Sequence, residues 1–177
     1  MTRRILTFDA PRRFISGTVG MPGERTFYLQ VAQGSELATV SLEKAQVALL
    51  ADRLDELLDE AGASSATHSD DNEPLDVPFE EDFRVGALAM GWDPTLGRVV
   101  AEAHALMEDR EPAELGDDDD GAADTLRIIL EPAMCRAFIR RSRALVAAGR
   151  PPCPFCLQPL DPSGHICPRA NGYRRRP

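Results

Sequence analysis

The 177-residue chain has 43% hydrophobic and 28% charged residues with aromatics at only 6%, the proportions of a globular domain with an aliphatic core. No stretch approaches the roughly 18 to 20 consecutive apolar residues of a membrane span, and Met1 to Phe8 is too short in apolar residues for a secretory leader, so a cytoplasmic protein is expected. The net charge of −9 hides an asymmetry: from Arg136 onward nine arginines face the single carboxylate of Asp161, while the residues before Arg136 hold 28 acidic against 11 basic groups.

Ile5 to Phe8 reads as an edge strand. Phe14 to Val19 and Arg25 to Gln33 read as strands around the turn Met21-Pro22-Gly23-Glu24, the second alternating Phe27, Leu29 and Val31 with Tyr28 and Gln30. Leu37 to Leu42 makes a third strand, and a helix is predicted from Glu43 to Glu60, where Val47, Leu50, Leu54, Leu57 and Leu58 form an apolar stripe. After a polar, acidic linker the same order returns. Phe83 to Met90 and Arg98 to Leu106 flank a turn around Gly91 to Gly97, Thr125 to Leu130 turns Leu126, Ile128 and Leu130 inward, and a helix runs from Pro132, suited to a first helical turn, to Ala148.

Phe14-x-x-Gly17 matches Phe83-x-x-Gly86, and Leu42-Glu43-x-Ala45 matches Leu130-Glu131-x-Ala133. The expected fold class is therefore α+β: a duplicated unit of about three antiparallel strands plus a helix, followed by a small zinc-ribbon-like tail. The units span 1–61 and 79–148, separated by the linker 62–78, with an acidic loop at 111–124 and the basic tail at 149–177. Aligning the helices places Cys135 opposite Val47, a core position where a thiol packs as a small hydrophobe. Asp117 to Asp120 lacks the spacing and closing glutamate of a calcium loop and reads as a solvated segment.

The tail carries Cys153-Pro154-Phe155-Cys156 and, after a turn through Asp161-Pro162-Ser163-Gly164, His165-Ile166-Cys167. A CxxC knuckle puts two thiolates on one side of a tight turn, and the second pair across a loop completes a tetrahedral zinc set. Four protein ligands leave no position for water, so the expected zinc ion is structural. A redox CxxC would open a helix in a βαβ setting, whereas this one lies in a proline-rich tail after a helix. His165 and Cys167 stand only two apart, a less common spacing than CxxC.

Thr18-Val19-Gly20, Leu42-Glu43-Lys44-x-Gln46-Val47, Phe83-Arg84-Val85-Gly86, Gly91-Trp92-Asp93 and, most specifically, Cys153-Pro154-Phe155-Cys156 with Gly164-His165-x-Cys167-Pro168-Arg169-Ala170-Asn171-Gly172-Tyr173 resemble an actinobacterial family of uncharacterised proteins, a domain of unknown function. The resemblance covers nearly the whole chain. It implies zinc and a cytoplasmic actinobacterial setting, and no activity. Lys44 as the one lysine among twenty basic residues fits a high-GC coding bias.

No catalytic constellation emerges. Gly17, Gly20 and Gly23 match neither a P-loop nor a dinucleotide fingerprint, and His68 and His104 have no neighbouring nucleophile. Glu43 and Glu131 stand at equivalent helix starts, where carboxylates suit the helix dipole. The leading expectation is a non-enzymatic zinc-binding adaptor with a protein partner. One alternative is an enzyme with a site between the repeats, using Glu43 and Glu131 with Arg84 or Arg127 for an anionic substrate. The other is a weak nucleic-acid binder through Arg169, Tyr173, Arg174, Arg175 and Arg176, disfavoured because the acidic body repels a polyanion.

Overall fold

A computed structural model of the chain describes residues 3–63, 68–107, 123–150, 152–160 and 164–169. The elements follow in the order β1 (Ile5–Phe8), β2 (Arg13–Val19), β3 (Thr26–Gln33), β4 (Glu36–Leu42), α1 (Lys44–Glu60), β5 (Phe83–Asp93), β6 (Arg98–Ala105), β7 (Thr125–Leu130) and α2 (Pro132–Ala147). The strands form one seven-stranded mixed sheet in the order β1-β7-β6-β5-β4-β3-β2. Two antiparallel meanders, β2-β3-β4 and β5-β6-β7, each lead into a helix. They meet where β4 and β5 run parallel through Val40↔Phe83 and Ser41↔Arg84. The expected edge strand β1 pairs parallel to β7.

Local chemistry sets the turns. Gly34 takes φ 57° in the two-residue loop closing the Gln33↔Glu36 pair, a conformation that costs a side chain-bearing residue more than glycine. The second meander turns later than the sequence suggests, because β5 continues through Gly91 and Trp92 to Asp93. The Asp93 carboxylate accepts from the amides of Thr95 and Leu96 at 2.8 and 3.0 Å, and its carbonyl accepts from Gly97 at 2.8 Å.

Both helices pack on one face of the sheet. The α1 stripe is the expected one, with Val47, Leu50, Leu54, Leu57 and Leu58 all buried against Leu29, Val31, Val40 and Leu42. Each such leucine withdrawn from water contributes about 1.5–3 kcal/mol. On α2 the fully buried Cys135 and Phe138 face inward, Phe138 stacks on Phe14 with ring centroids 4.3 Å apart, and the Ser142 and Ser16 hydroxyls pair at 2.7 Å. Arg136 reaches Asp55 and Asp59 while Arg143 reaches Asp52 and Asp55, an order that sets α1 and α2 antiparallel.

Residues of the acidic linker cover the opposite face over β2-β3-β4. Leu75 is buried against Gly17, where a Cβ would come within 2.5 Å of Leu75 Cγ. The buried Gln30 accepts from the Asp76 amide at 2.7 Å, and its own amide donates to Thr39 Oγ1 and to the Asp76 carbonyl. Arg13 binds Asp71 and Asp76 at 2.5 and 3.0 Å and donates to the carbonyls of Glu73 and Pro74. Asp117 to Asp120 lie outside the described residues.

Candidate metal centre

Past α2 the chain forms a knuckle closed by a bridge between Pro152 and Pro159. The Cys153 amide donates to the Gln158 carbonyl at 2.8 Å, and the Leu157 amide returns to the Cys153 carbonyl at 2.9 Å. That turn puts Leu157 at φ 62°. Gly164, at φ 115°, leads the second ligand pair back to the first.

The four ligand atoms of Cys153, Cys156, His165 and Cys167 all lie within 4.8 Å of one another. Cys153 Sγ and Cys167 Sγ are 3.7 Å apart, and Cys156 Sγ stands 3.1 Å from His165 Nε2. A tetrahedral zinc with Zn–S of about 2.3 Å sets its sulfurs roughly 3.8 Å apart, so the thiol pair already has the spacing of two zinc ligands. The sulfur–nitrogen pair is somewhat tighter than the roughly 3.5 Å a tetrahedron requires.

Electrostatics of the turn favour a thiolate. The backbone amide of Cys156 and then that of Phe155 point at Cys153 Sγ and pull its pKa down to about 6, while burial pushes the Cys156 thiol up. Cys135 is a different thiol. It lies in the α2 core, where burial pushes it up to about 12, and it stands outside the ligand cluster. The donor set therefore fits a Cys3His metal site.

The knuckle shows an unusual surface. Phe155, Leu157 and Ile166, set between or beside the ligands, are 61%, 75% and 82% exposed. Arg169 donates to the Phe155 carbonyl at 3.2 Å. Tyr173, Arg174, Arg175 and Arg176 lie outside the described residues.

The carboxylates considered for catalysis are not brought together. Glu43 precedes α1, pairs with Arg84 and has its own amide bound by Gln46 at 2.8 Å, whereas Glu131 precedes α2 and pairs with Arg98 at 3.0 Å. The ends of β4 and β7 that carry them are three strand spacings apart in the sheet order, roughly 14 Å at the usual interval.

Sequence reasoning gave no sign of a polar network on β6 and β7. Glu102 and His104 are both 2% exposed. Glu102 accepts from Arg127 at 2.6 Å and faces His104 Nε2 at 3.3 Å. His104 Nδ1 lies 3.0 Å from Thr125 Oγ1, which also receives Arg3 at 2.8 Å. Their row alternates with the inward-facing Val99, Ala101 and Ala103. That alternation was the available signal, but a polar row ordinarily marks a solvent face. His68 is exposed within the linker.

Among the described residues, no helix is long and apolar enough to cross a membrane. Comparison with curated proteins and with solved structures gives no match. One family model, described as a protein of unknown function (DUF3090), matches residues 6–167, from β1 to the last cysteine of the metal cluster, and the chain belongs to that family.

Proposed function

We propose that this protein is a non-enzymatic cytoplasmic adaptor whose zinc-ordered knuckle presents an apolar tip to a protein partner. Leu157 carries the reading. Its backbone stands at φ 62°, where a branched side chain costs about 1–2 kcal/mol and glycine costs nothing, yet its side chain is 75% exposed. Neither the turn nor the core accounts for leucine there. Phe155 and Ile166 extend the same exposed apolar character around the ligands, and an apolar group on a rigid turn is how an interface anchor is built. The closed ligand set supports a structural role for zinc, and the 19 arginines against one lysine support the actinobacterial setting.

The body is read as a duplicated scaffold for this tip. Support comes from the shared order of three strands and a helix, and from the paired positions Phe14 with Phe83 and Glu43 with Glu131. The arginine-rich terminus would add charge to the contact, favouring a partner with carboxylates around an apolar groove.

The test uses Leu157→Gly together with Phe155→Ser and Ile166→Ser. Zinc content should be kept, because the glycine relieves the strained turn. Affinity capture from native lysate should return a partner with the parent chain and lose it with the triple variant. The same captured set from both proteins would overturn the reading. A change from dimer to monomer in the variant would instead make the partner a second copy of this chain.

A further inference from the structure

The cations of the sheet-and-helix body are almost all spoken for. From Arg4 on Asp82 to Arg143 on Asp52, its described arginines hold carboxylates or donate to backbone and hydroxyl oxygens. Arg25 and Lys44 are different. Among the described residues neither has a hydrogen bond or an ion pair, and Arg25 only lies over the Phe27 ring at 5.4 Å. These two line the same depressions.

The larger depression, of about 250 Å³, is bounded by Gly23, Arg25, Lys44, Gly149, Arg150 and, from the knuckle, Pro159. Among the described residues no carboxylate lines it. A neighbouring depression of about 210 Å³ shares Arg25, Phe27 and Lys44 and takes Glu43 and Arg84 as its far wall, where they neutralise each other. Glycines leave room for the charged groups: a Cβ would stand 3.1 Å from Lys44 Nζ at Gly149 and 3.2 Å from Arg150 Cζ at Gly23.

Helix stability does not explain Lys44. It is the first residue of α1, a position where the helix dipole disfavours a cation by about 0.3–1 kcal/mol. It is also the only lysine in a chain that otherwise uses arginine. In a protein of net charge −9, Arg25 and Lys44 thus form a local positive patch on a concave surface, with no carboxylate paired to either among the described residues.

The geometry points to a binding site for a phosphate-class dianion at Arg25 and Lys44, either as a free anion or as the phosphate of a small molecule whose remainder occupies the neighbouring depression. A phosphate monoester brings close to two negative charges and three acceptor oxygens. An arginine fork and a lysine point charge are the side chains suited to it. Arg150 lines the same depression, and the site is assigned to Arg25 and Lys44 alone. This site is separate from the apolar tip and does not depend on the adaptor reading.

The test titrates the full-length, zinc-loaded protein with inorganic phosphate, pyrophosphate and adenosine monophosphate by calorimetry in chloride buffer, with zinc content checked throughout. Saturable millimolar or tighter binding is expected. Arg25→Ala and Lys44→Ala should each weaken it by roughly tenfold or more, Lys44→Arg should largely restore it, and Arg53→Ala should leave it unchanged. Lys44 is exposed, so its variants keep the test valid even if Arg25→Ala harms folding. Tighter binding of the nucleotide than of inorganic phosphate would assign the second depression to the organic remainder, whereas equal binding would confine the site to the phosphate. Absence of saturable binding for all three anions, or binding unchanged in Lys44→Ala, would overturn the proposal.

Discussion

Cys135 and Cys153 show how placement decides what a thiol does. The first, fully buried among apolar neighbours, is pushed up to about 12 and stays a protonated packing group. The second has two backbone amides aimed at its sulfur and is pulled down to about 6, toward the thiolate form that a metal site uses. Purified protein should therefore hold about one zinc per chain, the stoichiometry of a closed four-ligand site. By elemental analysis, Cys153→Ser and Cys167→Ser should each remove it and Cys135→Ala should keep it. Zinc retained by both ligand variants would refute the assignment. At this scale the sequence was informative about which side chains come together, because CxxC and the second pair are local patterns, and Cys153, Cys156, His165 and Cys167 do lie within 4.8 Å of one another. It was silent about Leu157, whose exposure and left-handed φ depend on how the knuckle closes. Glu102 and His104 were hidden for a related reason: alternation separates the two faces of a strand but does not tell whether a second layer covers the polar one.

Elements with a strong period were legible almost to the residue. The stripe of α1 and the alternation of β3 and β7 need nothing beyond their own neighbours, whereas β5 outran its expected end because Asp93, not Gly91, supplies the turn chemistry. The linker was not legible, since its packing rests on one leucine and on charges contributed by other elements. Arg13 is the centre of that packing. Its hydrogen bond to Asp71 holds the Asp71 carboxyl below the ordinary carboxylate value, with the further charge of Arg13 acting the same way against burial. A carboxylate depressed in the folded state stabilises the fold above its unfolded pKa and loses that contribution as pH falls through the folded one. Arg13→Met should accordingly cost about 1–3 kcal/mol at neutral pH. The cost should shrink in acid, below the ordinary carboxylate range, where the parent chain is losing the same interaction. Part should persist there, because the bonds from Arg13 to the carbonyls of Glu73 and Pro74 do not titrate. Urea unfolding of both proteins at neutral and at acid pH measures the difference, and a cost that grew on acidification would contradict this account.

On the scale of the whole molecule, charge sets an expectation for nucleic-acid binding. From Arg136 onward nine arginines face one acid, but the rest of the chain holds 28 acidic against 11 basic groups, and a long polyanion approaching the tail also approaches that surface. Basic groups in α2 are already committed to the body's own carboxylates, Arg136 to Asp55, Arg140 to Asp70 and Arg143 to Asp52, and Arg169 is turned toward the Phe155 carbonyl. If Arg169, Arg174, Arg175 and Arg176 did contact phosphates, the logarithmic salt slope on duplex DNA would be roughly −3 to −4. With so few contacts and a repelling body, binding no tighter than about 10 micromolar is expected at physiological salt, near the weak end of non-specific affinities. A polarisation series across salt, on duplex DNA, single-stranded DNA and RNA, measures this directly. Submicromolar binding that falls with salt and is lost on replacing Arg174, Arg175 and Arg176 by alanine would make the protein a nucleic-acid factor and displace the adaptor reading. A flat, weak response on all three polymers, beside saturable binding of small phosphates at Arg25 and Lys44, would show that the body's acidity excludes the polymer while a compact dianion still reaches the depression.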